Sequence, residues 1–139
     1  MDHDQSLPCS IGGYPKMSTF GCVVGERSAE GRDEFLRYHK SAIEIPSPAI
    51  SRIEAVSKET GVFVVMGVVE REGGTLYCTV IFVDPVEGLV GKHRKLVPTA
   101  TERSIWGMGD GTTVPVLEKT FSTSGTEVVT TKISAAICW

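Results

Sequence analysis

The chain has 139 residues, 14 Lys+Arg against 17 Asp+Glu, a formal net charge of -3 and 41% hydrophobic residues. That is the size and balance of one globular domain, with no basic surplus to grip phosphates, so no nucleic-acid partner is expected. The longest apolar run, residues 62–69, is far shorter than the ~20 residues of a membrane helix, so no membrane partner is expected either.

The first residues, Met1-Asp2-His3-Asp4-Gln5, are polar and acidic, unlike a secretory signal. Cys9, Cys22, Cys78 and Cys138 show no CxxC spacing, which points to a reducing cytoplasmic compartment. Residues 1–28 carry Gly12, Gly13, Gly21 and Gly25 with little periodicity and read as a loop. Residues 29–45 predict a helix, because Phe35, Leu36, His39, Ala42 and Ile43 recur at three- and four-residue spacing. Pro46 and Pro48 break it. Ser47-Pro48 then reads as an N-cap followed by proline at the first helical position, with Ile50, Ile53 and Val56 on one side and Gly61 as the stop.

Strand chemistry follows. Val62-Phe63-Val64-Val65-Met66 predicts a strand buried on both faces. Glu72-Gly73-Gly74 marks a hairpin turn, and Thr75–Val83 a second strand. Asp84-Pro85 opens another turn, closed by Gly88, before a third strand at Leu89–Lys95. Residues 97–113 read as a polar loop, Val114–Leu117 as a short strand and Glu127–Cys138 as a final buried strand. Two helices followed by strands predict an α/β architecture with the helices on one face, within a single domain over residues 1–139.

Few residues here suggest chemistry by themselves. Cys138 ends a strand, where active sites collect in open α/β sheets, and a thiolate there is a candidate nucleophile. The bland reading is a small buried apolar residue. Lys95 closes the basic cluster Lys92-His93-Arg94-Lys95 and could stabilise a developing anion, or the cluster is a solvated strand end. Glu102 alone reads as a surface carboxylate. Gly107-Met108-Gly109-Asp110-Gly111 lacks phosphate-loop spacing and reads as a turn. There is no G-x-S-x-G elbow, and His3, His39 and His93 have no metal-ligand spacing.

Taken together, Gly91–Thr99 (Gly-Lys-His-Arg-Lys-Leu-Val-Pro-Thr) and the terminal Ile137-Cys138-Trp139 resemble the nitrilase branch of the carbon–nitrogen hydrolase superfamily. Ile11-Gly12-Gly13-Tyr14-Pro15-Lys16, Gly31-Arg32-Asp33-Glu34-Phe35 and Thr101-Glu102-Arg103 with Trp106–Gly111 fit the same branch, from about residue 7 to 139. The resemblance implies a nitrilase-like α-β-β-α sandwich. It implies a cysteine nucleophile at Cys138, a lysine at Lys95 and a supporting glutamate at Glu102. It further implies no metal or organic cofactor, a small-molecule nitrile or cyanide as substrate, and a homo-oligomer.

The chain departs from the family pattern at Leu7-Pro8-Cys9-Ser10-Ile11, where a general-base glutamate is expected and no carboxylate stands. It resembles an incomplete member, roughly the middle two-fifths of a nitrilase. The expected activity is hydrolysis of a nitrile to acid and ammonia through thioimidate and thioester intermediates. The alternatives are a cyanide hydratase giving an amide, or an inactive truncated remnant that at most self-associates. A nucleotide-binding module built on Gly107–Gly111 has little support.

Overall fold

The computed structural model describes residues 28–122 and 127–137. Helix α1 runs Ala29–Ser41 and helix α2 runs Pro48–Thr60. Strands β1 (Val64–Glu72), β2 (Thr75–Asp84) and β3 (Gly88–Arg94) form an antiparallel sheet in that order. Strands β4 (Leu117–Ser122) and β5 (Val128–Ile133) form a separate antiparallel pair.

The helix signals are physical ones. The Ser28 hydroxyl accepts from the Gly31 N–H at 3.0 Å and caps α1. Pro48 opens α2, and Gly61 closes it with φ of 68°, the left-handed turn that glycine adopts without steric cost. The predicted first helix over 29–45 ends earlier, because Ala42 is already extended and the Ile43 N–H donates to Val69 C=O at 3.0 Å. Ile43 therefore pairs alongside β1 instead of extending the apolar stripe of α1.

The first sheet is pinned by its hairpin, with Glu72 opposite Thr75 around Gly73-Gly74. Side chains alternate between its faces. One face sends Val68, Ile81 and Val83 against Ile43, Ile50 and Ile53, the main core under α2. The other sends Val69 and Leu76 against Ala42 and Trp106, with Tyr38, Cys78 and Ile105 packed beside them. Full burial of a side chain such as Ile81 contributes roughly 1.5–3 kcal/mol.

Several expectations are corrected. The first strand begins at Val64 and is not buried on both faces, since Val65 is exposed. Val56 is 56% exposed, and Ser57 takes the third inward position of α2, donating to Val62 C=O at 2.7 Å. The stripe turns because a 3.6-residue period favours Ser57 over Val56 after Ile50 and Ile53. Loop 97–113 contains short 3-10 turns at Ala100–Ser104 and Gly111–Thr113. The short strand lies at Leu117–Ser122 rather than 114–117. The last strand spans only Val128–Ile133 and is largely exposed, because β4 is its sole strand partner among the described residues. Phe63 and Phe121 meet edge to face at 6.3 Å, and Lys119 reaches Asp84 at 3.0 Å, which ties β4 to the first sheet.

Candidate active site

Alternation along β3 separates the basic cluster into two jobs. Lys92 and Arg94 turn toward Glu70, which is 1% exposed. Arg94 grips it twice, from Nε to Oε2 at 2.9 Å and from its terminal nitrogen to Oε1 at 2.6 Å. Lys92 Nζ donates to Oε1 at 2.5 Å and Thr79 Oγ1 to Oε2 at 2.8 Å. Burial alone would raise the Glu70 pKa, but these donors reverse that and hold it at about 2. Arg94 also stacks 3.8 Å above the Tyr77 ring. The cluster is therefore not a solvated strand end. Glu70 clamps β1, β2 and β3 together, and sequence reasoning missed it. The available signal was a carboxylate at an inward position of an alternating strand.

His93 and Lys95 fall on the opposite face and are buried, Lys95 to 3% exposure. The Lys95 N–H donates to Cys78 C=O at 2.8 Å, so the ladder continues one residue beyond β3. Its ammonium donates to Glu102 Oε2 at 2.7 Å and to Thr99 Oγ1 at 3.1 Å. Glu102 is no plain surface carboxylate. It also accepts the Thr99 N–H at 2.7 Å, completing a capping box at the Ala100–Ser104 turn. Ala100 there has φ of 48°, a left-handed conformation uncommon outside glycine, and it folds Glu102 back over Lys95.

An ammonium has three donors, and two of Lys95's are used inside its own loop. Such a buried cation beside a carboxylate can stabilise a developing anion and exchange protons. Next to it, burial pushes the Cys78 thiol up to about 11, against the pull of the Lys95 ammonium and with help from the Glu102 charge. Burial thus favours the thiol form of Cys78.

Of the sequence candidates, Lys95 and Glu102 come together in direct contact. Cys138 lies outside the described residues, as does the Leu7–Ile11 stretch. The residue before Cys138 is described. Ile137 comes up against β1, where a Cβ placed on Gly67 would lie 3.9 Å from its Cδ1. Gly67 shares its sheet face with Val69, Cys78 and, through the ladder, Lys95. Among the described residues no group of three or more His, Cys, Asp or Glu is placed to hold a metal ion, and no helix is long and apolar enough to cross a membrane.

Comparison with known proteins bears on this arrangement. The family described as carbon-nitrogen hydrolase matches residues 5–139. An arylacetonitrilase of Trametes versicolor is 68% identical over 93% of this chain and 41% of its own length. The bifunctional nitrilase/nitrile hydratase NIT4A of Nicotiana tabacum is 51% identical over 93% of this chain and 34% of its own. The chain thus spans less than half the length of these curated relatives. A crystal structure of an N-terminal amidase superposes with a TM-score of 0.56 at 19% identity, covering 73% of this chain and 26% of that one. At that identity the likeness concerns the fold.

Proposed function

Because the chain belongs to the carbon–nitrogen hydrolase family, we propose that it hydrolyses nitriles, with Cys138 as nucleophile, Lys95 as the cation facing the developing charge and Glu102 as the carboxylate that holds Lys95 and carries protons. The single observation that carries this reading is the buried contact between Lys95 Nζ and Glu102 Oε2 at 2.7 Å. A solvated strand end has no reason to bury its ammonium, and Lys95 is 3% exposed.

The chemistry follows from the groups. A nitrile carbon is a weak electrophile and calls for a thiolate. Sulfur bonds to that carbon as the C≡N bond gives up a pair to nitrogen, and the nitrogen takes the thiol proton, giving a thioimidate. The Lys95 ammonium stabilises the charge on that nitrogen. Water adds, ammonia leaves and a thioester remains. A second water releases the acid and restores the thiol. Glu102 is the carboxylate in contact with Lys95 that can pass these protons. The relatives' printed names include arylacetonitrilase and nitrile hydratase. An arylacetonitrile is accordingly the first substrate to try. An amide product, from a nitrile or from cyanide, is the alternative outcome at the thioimidate stage. The absence of a carboxylate at Leu7–Ile11 and the exposed apolar residues Val128 and Val129 favour a second reading, a self-associating chain without turnover. The cytoplasmic reading continues to rest on the cysteine pattern.

The test is incubation of the pure chain with aromatic and aliphatic nitriles and with cyanide, followed by assay of ammonia, acid and amide. Product above that of Cys138→Ala supports the hydrolase. Product no greater than that control, with a broad non-cooperative melt and multimers on size exclusion, supports the self-associating chain.

A further inference from the structure

The stretch Trp106–Asp110 crosses directly against the backbone of Lys95. The Gly107 N–H donates to Leu76 C=O at 2.8 Å, and the Gly109 N–H donates to Lys95 C=O at 2.9 Å. The Lys95 N–H is itself held by Cys78 C=O at 2.8 Å. The lysine is therefore gripped at both its amide and its carbonyl. The seat at Gly109 is tight. A Cβ there would lie 2.6 Å from the Arg94 carbonyl oxygen and 2.9 Å from that of Lys95. These are backbone atoms at the end of the β2–β3 ladder, so they cannot yield as a flexible side chain would. Gly111, two residues on in the same loop, would place a Cβ with nothing within 4 Å.

We propose that Gly109 is a positioning residue for Lys95. Its missing side chain lets the strap seat on the Lys95 carbonyl, and that seat sets where the ammonium meets Glu102. The role rests on the reading of Lys95 as the charge-stabilising group, so its test reads the lysine and not turnover. A methyl group at position 109 must displace either the strap or the lysine. The same methyl at position 111 displaces nothing.

The experiment compares the full chain with its Gly109→Ala and Gly111→Ala variants by NMR. The amide and side-chain resonances of Lys95 are assigned by their loss in Lys95→Arg. Gly109→Ala is expected to shift the Lys95 resonances and speed exchange of its amide by about tenfold or more, the factor that 1.4 kcal/mol supplies. Gly111→Ala is expected to leave both at the wild-type values. Equal behaviour of the two variants, disturbed or undisturbed, overturns the proposal. Should Gly109→Ala not fold, hydrogen exchange of the wild-type chain decides. Protection of the Gly109 amide together with that of Lys95 supports the strap, and exchange of Gly109 at the rate of an open loop overturns it. Where nitrile turnover is present, Gly109→Ala should lower kcat by roughly 10²-fold, the cost of a 1 Å misplacement, while KM changes little. A chain without turnover contradicts the hydrolase reading and leaves the Lys95 resonances to judge Gly109.

Discussion

Lys95 Nζ and Glu102 Oε2 stand 2.7 Å apart, although seven positions separate them in sequence, Lys95 just past the end of β3 and Glu102 in the 3-10 turn Ala100–Ser104. Their side chains are 4% and 15% exposed. Removing one partner of such a pair leaves the other charge uncompensated. Glu102→Gln should therefore destabilise the chain by roughly 3 kcal/mol, the low end for a buried pair because Glu102 keeps some water contact. Urea unfolding checks this. In a cycle with Lys95→Met the double variant should lose clearly less than the two single losses added. Additive losses would mean that the contact carries no coupling.

Glu70 provides a pH signature. Its folded pKa is lowered from 4.5 to about 2, because donation from Arg94, Lys92 and Thr79 outweighs the cost of burial. A depressed carboxylate pKa contributes stability above the unfolded value, and that contribution is lost as pH falls toward the folded value. The contribution should be complete above about pH 4.5 and should fade down to about pH 2. Its full size is about 3 kcal/mol. Denaturant melts of the wild type between these limits should show the loss, and Glu70→Gln, less stable at neutral pH, should show a flatter profile. Parallel profiles would contradict the assignment.

Cys78 should resist modification in the folded chain. With its thiol at about 11, roughly one molecule in a thousand is thiolate at pH 8. Iodoacetamide followed by peptide mass mapping should leave Cys78 unlabelled in native buffer and label it in denaturant. Rapid native labelling would contradict the raised thiol pKa.

Alanine at Ile50 and at Val56 should differ sharply. Ile50 is 2% exposed and sits in the core under α2, so Ile50→Ala should cost about 2–5 kcal/mol in a thermal or denaturant melt. Val56 is 56% exposed, and its truncation should fall within about 0.5 kcal/mol.

The contrast between Ile50 and Val56 marks how far the sequence was legible. Apolar spacing and the Ser47-Pro48 and Gly61 signals located α2, and β-branched runs with Gly73-Gly74 located the first hairpin. Those signals act over a few residues. Which face of each element is covered depends on partners distant in the chain. Hence Val56 was assigned inward, and Phe35 and Leu36, spaced for burial, are exposed on α1. The separation of Lys92 and Arg94 from Lys95 was recoverable from strand alternation once the pairing of Thr79 with Arg94 is known, but that register lies in the fold. The link from Glu102 back to Lys95 needs the turn at Ala100, which no composition rule announces. The family motifs name Lys95 and Glu102 together, and the structure places the two side chains in contact.

If the Cys138 sulfur attacks a nitrile carbon with help from Lys95, the attack leaves a covalent trace, and intact-mass spectrometry of the chain quenched during incubation with an arylacetonitrile reads it. The expected result is an adduct carrying the whole mass of the nitrile, mapped to Cys138, lost in Cys138→Ala and reduced at least about tenfold in Lys95→Ala. An adduct-free Cys138, or one labelled equally well without Lys95, would contradict it.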